Sequence, residues 1–250
     1  MIIIKSDSEI DIMRESGKVT GSILKELETF IRPGLSTADI DRFVEDKIRA
    51  HGMIPSFKGY GGFPASACVS INEEVVHGIP DKKRILREGD IVSVDVGSTY
   101  KGYVSDAART YPVGEVSEVA THIMEAARDS FFAGMEFCRK GYRLSDISHA
   151  IQQKAEGEGF SVIRDFVGHG VGQNMHEDPQ IPNFGKAGRG PRLAPGMVFA
   201  IEPMICEGTY DVQTLSNEWT VVTLDGKLSA HYENTVVVTD GEPELLTLAV

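Results

Sequence analysis

Cysteine is scarce in this chain. Cys68, Cys138 and Cys206 make an odd count with no C-x-x-C spacing, so no disulfide scaffold is expected and a reducing compartment, the cytoplasm, fits best. No apolar run approaches the roughly 18 residues of a membrane-spanning helix. Met1-Ile-Ile-Ile-Lys5 is too short and wrongly ordered for a secretory signal. Cationic residues are in deficit, 25 Lys and Arg against 37 Asp and Glu for a net charge of −12, which argues against nucleic acid as the primary ligand. The one basic cluster, Lys82-Lys83-Arg84, reads as a solvated loop. Low-complexity linkers are also missing. What remains, with 41% hydrophobic residues over 250 positions, is an ordinary globular composition, expected to form a single domain over residues 1–250.

Within that span the chain repeats itself. A shift of 107 residues pairs Phe30 with Phe137, Gly34 with Gly141, Asp39 with Asp146, Gly52 with Gly159, Gly89 with Gly196 and Asp95 with Glu202. Each half, roughly 10–110 and 116–240, reads as two helices followed by strands and turns. Ser6-x-x-Glu9 forms a capping-box pattern, and Ile10, Met13, Ile23, Leu27 and Ile31 mark a helical stripe that Pro33-Gly34 ends. A second helix is expected over Thr37 to Ala50. The later half offers Val116, Val119, Ile123 and Phe131, a break at Lys140-Gly141, then Leu144, Ile147, Ile151 and Ala155. The expected fold class is α+β, with helix pairs covering one face of an antiparallel-rich sheet about a pseudo-twofold axis and a cleft along that axis.

The segment VSVDVGSTYKGYVSDAART poses a chemical problem. Asp95 interrupts a valine strand, and a hairpin centred on Tyr100-Lys101 would set Asp106 directly opposite it. Like charges facing each other at about 4.5–5.5 Å destabilise a sheet, so a cation is expected between them. GMVFAIEP delivers Glu202 in the second half, and a hairpin at Asp225-Gly226 would return the chain to Glu233. His169 sits between two glycines; such a histidine is more often a loop residue, but here four carboxylates need counter-charge. Four hard oxygen donors and one imidazole suit a pair of divalent ions, which typically lie about 3.5–4 Å apart and activate one water.

Asp95, Asp106, His169, Glu202 and Glu233 occur in the order and spacing of the methionine aminopeptidases, within the pita-bread group that includes prolidase and creatinase. FVGHGVGQNMHEDPQIPN, GYGGFPASACVSINEEVVHGIP and GMVFAIEPM resemble the short, bacterial-type I members, which lack the N-terminal domain of prolidase-like relatives. The resemblance implies a pita-bread fold and a dimetal aminopeptidase that removes N-terminal methionine when the second residue is small. It implies the five residues as ligands of two ions (Co, Mn, Fe or Zn), with Asp106 and Glu233 bridging, Asp95 on one ion, and His169 with Glu202 on the other. His77 and His176 match non-ligand active-site histidines that bind the scissile amide and the oxyanion, and Glu202 is the candidate proton shuttle. Tyr60, Phe63, Cys68, Met175 and Trp219 match the wall of the methionine pocket. Ser105, Phe57, Met175 and Phe184 depart from common family residues without removing a ligand. The implied partners are N-terminal Met peptides and nascent chains, with a transient ribosome contact, for a cytoplasmic monomer. Two rival readings are an X-Pro peptidase of the same fold and a binding module that has lost catalysis. The intact ligand set opposes the second.

Overall fold

The computed structural model describes residues 1–248. The first half runs α1 (Asp7–Phe30), α2 (Thr37–Ala50), β1 (Ile54–Pro55), β2 (Ala67–Ile71), β3 (Glu74–Val76), β4 (Ile91–Tyr100) and β5 (Tyr103–Pro112). The second runs α3 (Glu118–Met135), α4 (Leu144–Gly157), β6 (Ser161–Val162), β7 (Gly168–Gly170), β8 (Glu177–Ile181), β9 (Val198–Ile201), β10 (Met204–Cys206), β11 (Val212–Thr214), β12 (Val221–Thr223), β13 (Ser229–His231), β14 (Asn234–Val237) and β15 (Glu244–Leu245).

The repeat is visible in the backbone. Gly34, Gly52 and Gly89 have φ of 89°, 71° and 90°, and their counterparts Gly141, Gly159 and Gly196 have 102°, 88° and 85°. Only glycine adopts these values freely. Isolated antiparallel bridges join Ser36 to Ile85 and Arg143 to Arg192, again 107 residues apart. At the two helix starts, Asp39 accepts from Ser36 N and Asp146 from Arg143 N, satisfying a backbone donor in the same way twice.

Helix α1 begins at the Ser6–Glu9 capping box and buries Ile10, Met13, Ile23, Leu24 and Leu27. Its partner α2 buries Ile40, Val44 and Ile48 against the valines of β4 in one core cluster. In α3 the buried stripe is Ala120, Ile123, Ala127 and Phe131. Val116 precedes this helix and Val119 is exposed, because Ser117 caps the helix through Ala120 N and so sets the phase of its apolar face. Phe131 meets Ile147 and Ile151 of α4 in a second cluster.

The strand pairs are all antiparallel. β4 pairs with β5 on one side and with β1 and β2 on the other. The second half forms the order β15-β14-β9-β7-β8. Two smaller ladders, β13-β10-β6 and β11-β12-β3, flank these. The halves meet where Ala108 and Glu233 exchange backbone hydrogen bonds of 3.3 and 3.0 Å and where the Thr235 hydroxyl accepts from Asp106 N and donates to Asp106 O.

Two sequence expectations are corrected. The β4–β5 turn is centred one residue later, on Lys101 (φ 46°) and Gly102 (φ 82°), closed by the Tyr100–Tyr103 pair. Two consecutive left-handed residues make the tight turn that matches strand twist. Asp95 therefore faces Ala108 and Asp106 faces Gly97, so the two carboxylates are diagonal neighbours on one face. Asp225-Gly226 does turn, held by Thr209 N and Lys227 N donating to the Asp225 carboxylate, but its flanking strands do not pair with each other. β12 joins β11 and β3, and β13 joins β10. The counterpart of the β4–β5 pair is β9–β14, with Ile201 opposite Asn234. Residues between them make an excursion that carries β10–β13.

Ser105, unusual by the family pattern, is fully buried in a hydroxyl cluster with Ser16, Thr20 and Ser98 at 2.7, 2.8 and 3.2 Å. This cluster ties α1 to the hairpin that carries both aspartates.

A Cβ on Gly17 of α1 would overlap the Leu246 carbonyl, and one on Gly21 would lie 2.6 Å from Thr247 O. Backbone cannot yield as a side-chain tip can, so Gly17→Ala is expected to destabilise the fold by about 1–3 kcal/mol despite alanine's helix propensity. Gly157→Ala in α4 has open space and is expected to stabilise by up to about 1 kcal/mol. Thermal melts of the two variants check both signs.

Candidate metal centre

The polar end of one cleft gathers Asp95, Asp106, His169, Glu202 and Glu233 with His77, His176 and His231, and Phe57, Tyr60, Phe63, Cys68, Met175 and Trp219 form its apolar wall. Each sequence-predicted site residue therefore lines the same cavity. Its volume of about 160 Å³ is below the roughly 300–1,000 Å³ of sites for drug-sized ligands and suits a single side chain.

Strand alternation places the carboxylates. Asp95 and Asp106 project from the same face of the β4–β5 hairpin, opposite alanine and glycine, which leaves room beside them. Glycine is required opposite Asp106, since a Cβ at Gly97 would lie 2.7 Å from the Phe57 ring. Glu202 follows β9 and Glu233 precedes β14, at the end of the pair where the two halves touch. Asp106 and Glu233 are buried, while Asp95 and Glu202 keep partial exposure to the cleft.

His169 lies on β7, and its Nδ1 is 2.8 Å from the Gly170 carbonyl. A carbonyl only accepts, so Nδ1 carries the proton and Nε2 presents its lone pair. That Nε2 is 3.6 Å from both Asp106 and Glu202. Two compact triads result, Asp106–His169–Glu233 and Asp95–His231–Glu233, each with its ligating atoms within 4.8 Å of one another.

The buried atoms Asp95 Oδ1, Asp106 Oδ1, Glu233 Oε1 and His231 Nε2 have no hydrogen-bond partner, although buried polar atoms nearly always find one. Among the described residues no Lys or Arg forms an ion pair with these four carboxylates; the ring nitrogens that approach them belong to His169 and His231, which burial keeps neutral. The donor set therefore fits hard or borderline divalent ions.

The electrostatics agree. Burial, then the neighbouring Asp106 charge, pushes Asp95 well above the carboxylate range. Burial raises Asp106 to about 7, and burial with the adjacent aspartates raises Glu202 and Glu233. Burial lowers His77 to about 4 and His231 to about 3, and shifts His169 and the more exposed His176 the same way.

His77 adopts the left-handed region at φ 59°, a conformation that costs a non-glycine residue about 1–3 kcal/mol and clusters at functional sites. Its ring packs edge-on to Trp219 and Phe166. His176 stands at the rim, its ring centroid 4.3 Å from that of His169, and its Nδ1 is 2.8 Å from the Tyr60 hydroxyl. A Tyr60 hydroxyl that donates to Nδ1 leaves the ring proton on Nε2. The loop carrying Met175 and His176 is anchored by a buried Lys5–Glu177 ion pair at 2.6 Å.

His231 was missed by sequence reasoning. Its one signal was its place two residues before Glu233; strand alternation does not relate the two, since His231 ends β13 and Glu233 lies before β14. Val76 was also missed and had no sequence signal beyond an ordinary core valine.

The chain belongs to metallopeptidase family M24, which it matches over residues 11–240. It is 59% identical to a methionine aminopeptidase of Clostridium acetobutylicum, with 99% of each chain covered, and 51% identical to methionine aminopeptidase 1 of Bacillus subtilis, again with 99% of each covered. The crystal structure of the Thermotoga maritima methionine aminopeptidase superposes with a TM-score of 0.98 at 46% identity, covering 99% of this chain and 100% of that one. A Xaa-Pro dipeptidase from Bacillus anthracis superposes with a TM-score of 0.78 at 25% identity, over 62% of its length. The expected pita-bread fold is thereby borne out.

The pKa shifts set a pH dependence for the metal-free protein. A carboxyl whose folded pKa is raised holds its proton longer in the folded chain, so stability is lost as pH rises through that value. The lowered histidines act oppositely, removing stability as pH falls below their usual 6.5. Above 6.5 the histidines are neutral in both states and only the carboxyls still titrate, Asp106 near 7. Calorimetry of chelated protein is expected to show stability falling from about pH 6.5 to 8, and saturating divalent ion is expected to reverse that slope.

Proposed function

We propose that this chain hydrolyses the N-terminal methionine from peptides and nascent proteins with a small second residue, using two divalent ions held by Asp95, Asp106, His169, Glu202 and Glu233. The observation that carries the reading is one cleft with an acidic end of orphaned oxygens and an apolar end the size of one side chain, in a chain of this family. When bound, divalent ions supply Lewis acidity, which polarises a carbonyl and activates water at neutral pH.

The remaining chemistry belongs to the side chains. Phe63, Cys68, Met175 and Trp219 enclose an unbranched thioether, with the T-shaped Phe63–Trp219 pair at 5.1 Å as one wall. Cys68 acts by packing: burial raises its thiol well above the usual range, so it holds no thiolate for nucleophilic attack. The substrate's free N-terminal amine, unprotonated, would be received at the metal-holding end, which fixes cleavage at the chain terminus. Glu202 takes the proton released from water and passes it to the departing amine. His77 and His176 are neutral at pH 7 and donate hydrogen bonds to the scissile amide and the developing oxyanion without adding charge of their own. Tyr60 fixes the tautomer that lets His176 Nε2 donate.

Among the described residues no helix is long and apolar enough to cross a membrane. A cytoplasmic monomer that meets nascent chains in a transient ribosome contact belongs to the same reading, as does a choice among Mn, Fe, Co and Zn by availability.

The test is methionine release from Met-Ala-Ser. Chelation is expected to abolish it and re-added divalent ion to restore it; persistence after complete chelation would refute the reading. His176→Ala is expected to lower kcat by about 10²–10³, the loss typical of one oxyanion donor, at unchanged metal content. Hydrolysis of Ala-Pro peptides in preference to Met-Ala-Ser would assign the site to the X-Pro class instead.

A further inference from the structure

The five residues above give one imidazole to a site for two ions. The geometry supplies a second. We propose that His231 is a sixth metal ligand, binding through Nε2 the ion that Asp95 serves, so that each ion receives its own imidazole; this rests on the dinuclear reading above.

In the Asp95–His231–Glu233 triad, as in Asp106–His169–Glu233, the ligating atoms all lie within 4.8 Å of one another, and the two share Glu233. His231 Nε2 is buried, without any hydrogen-bond partner, beside the equally unpartnered Asp95 Oδ1 and Glu233 Oε1. It stands 3.5 Å from Glu233 Oε2 and 3.9 Å from Glu202 Oε2. These separations are too long for good hydrogen bonds but suit atoms arranged around a common ion. The backbone that carries the ring is held on both sides: His231 pairs with Met204 across β13–β10, its N–H donates to the Thr110 hydroxyl, and that hydroxyl donates to its carbonyl, both at 2.9 Å. Thr110 belongs to β5, the strand that also carries Asp106, so the first half of the chain sets the position of a ligand from the second.

The assignment also evens the distribution of imidazoles over the two triads. Asp95 and Glu202 are equivalent in the repeat, and Glu233 is common to both triads. With His231 included, one imidazole would stand beside Asp95 as His169 stands beside Asp106. A second imidazole moves the pair away from the all-oxygen environment that suits Mn and toward the nitrogen-containing sets that suit Zn and Fe.

X-ray absorption at the zinc edge of protein loaded with two zinc equivalents counts imidazoles by their multiple scattering. An average of one imidazole per zinc is expected. One imidazole per two zincs would overturn the assignment, and this reading of the unaltered protein needs no variant to fold. Calorimetric titration of His231→Gln, with folding verified by circular dichroism, is expected to show one of the two zinc affinities weakened at least about tenfold and the imidazole count halved. A folded variant with both affinities unchanged would also overturn it. Failure of the unaltered protein to take up zinc at all would overturn both this assignment and the dinuclear reading, whereas uptake with a single imidazole would overturn this assignment alone.

Discussion

Four carboxyl groups converge at one end of a cleft, with no lysine or arginine among the described residues in an ion pair with them, and the rest of the molecule is arranged around that charge. Burial alone makes an ionised carboxylate costly, and several within reach of one another compound the cost. The cluster carries protons or cations, and its pKa values rise accordingly. Every structural element that meets there acts to hold the charges in place. The hydroxyl cluster under β4 and β5 fixes one pair, the β9–β14 register fixes the other, and the reciprocal Ala108–Glu233 hydrogen bonds lock the two pairs together.

The repeat explains how a chain can build such a centre. One half contributes a hairpin with two acidic side chains on one face, and the other contributes a strand pair with two more. A pseudo-twofold arrangement brings the acidic ends together at the axis. The equivalence extends to single glycines with matching positive φ and to bridges at matching positions. It ends where the second half inserts β10–β13, and that inserted stretch brings Trp219 and His231 to the cleft.

Much of this was legible in the amino-acid order, and the parts that were not have definite causes. The helix pairs followed from apolar periodicity and capping residues, which are local. Asp95 stood out because a carboxylate inside a valine strand violates the strand's own pattern. The one-residue error in the β4–β5 turn arose because Lys101 adopts a left-handed conformation that its side chain does not advertise. The Asp225-Gly226 turn was read correctly as a turn and wrongly as a hairpin, because strand partnership is decided by distant segments, here β3 and β10. His231 was hidden by the same non-local pairing. Its role depends on Thr110 and on Asp95, both more than a hundred residues away.

The excursion between Ile201 and Asn234 leaves and rejoins the sheet at directly paired residues. Its two roots are pinned by that ladder, so its outer loop can lengthen, shorten or change its aromatic content with little strain passed to Glu202 or Glu233. This mechanical insulation applies to the outer part of the excursion around Trp219, not to its returning end, where His231 and Glu233 enter the charged centre. A lineage can reshape what the cleft accepts, through the segment around Trp219, while the charged centre beneath keeps its dimensions.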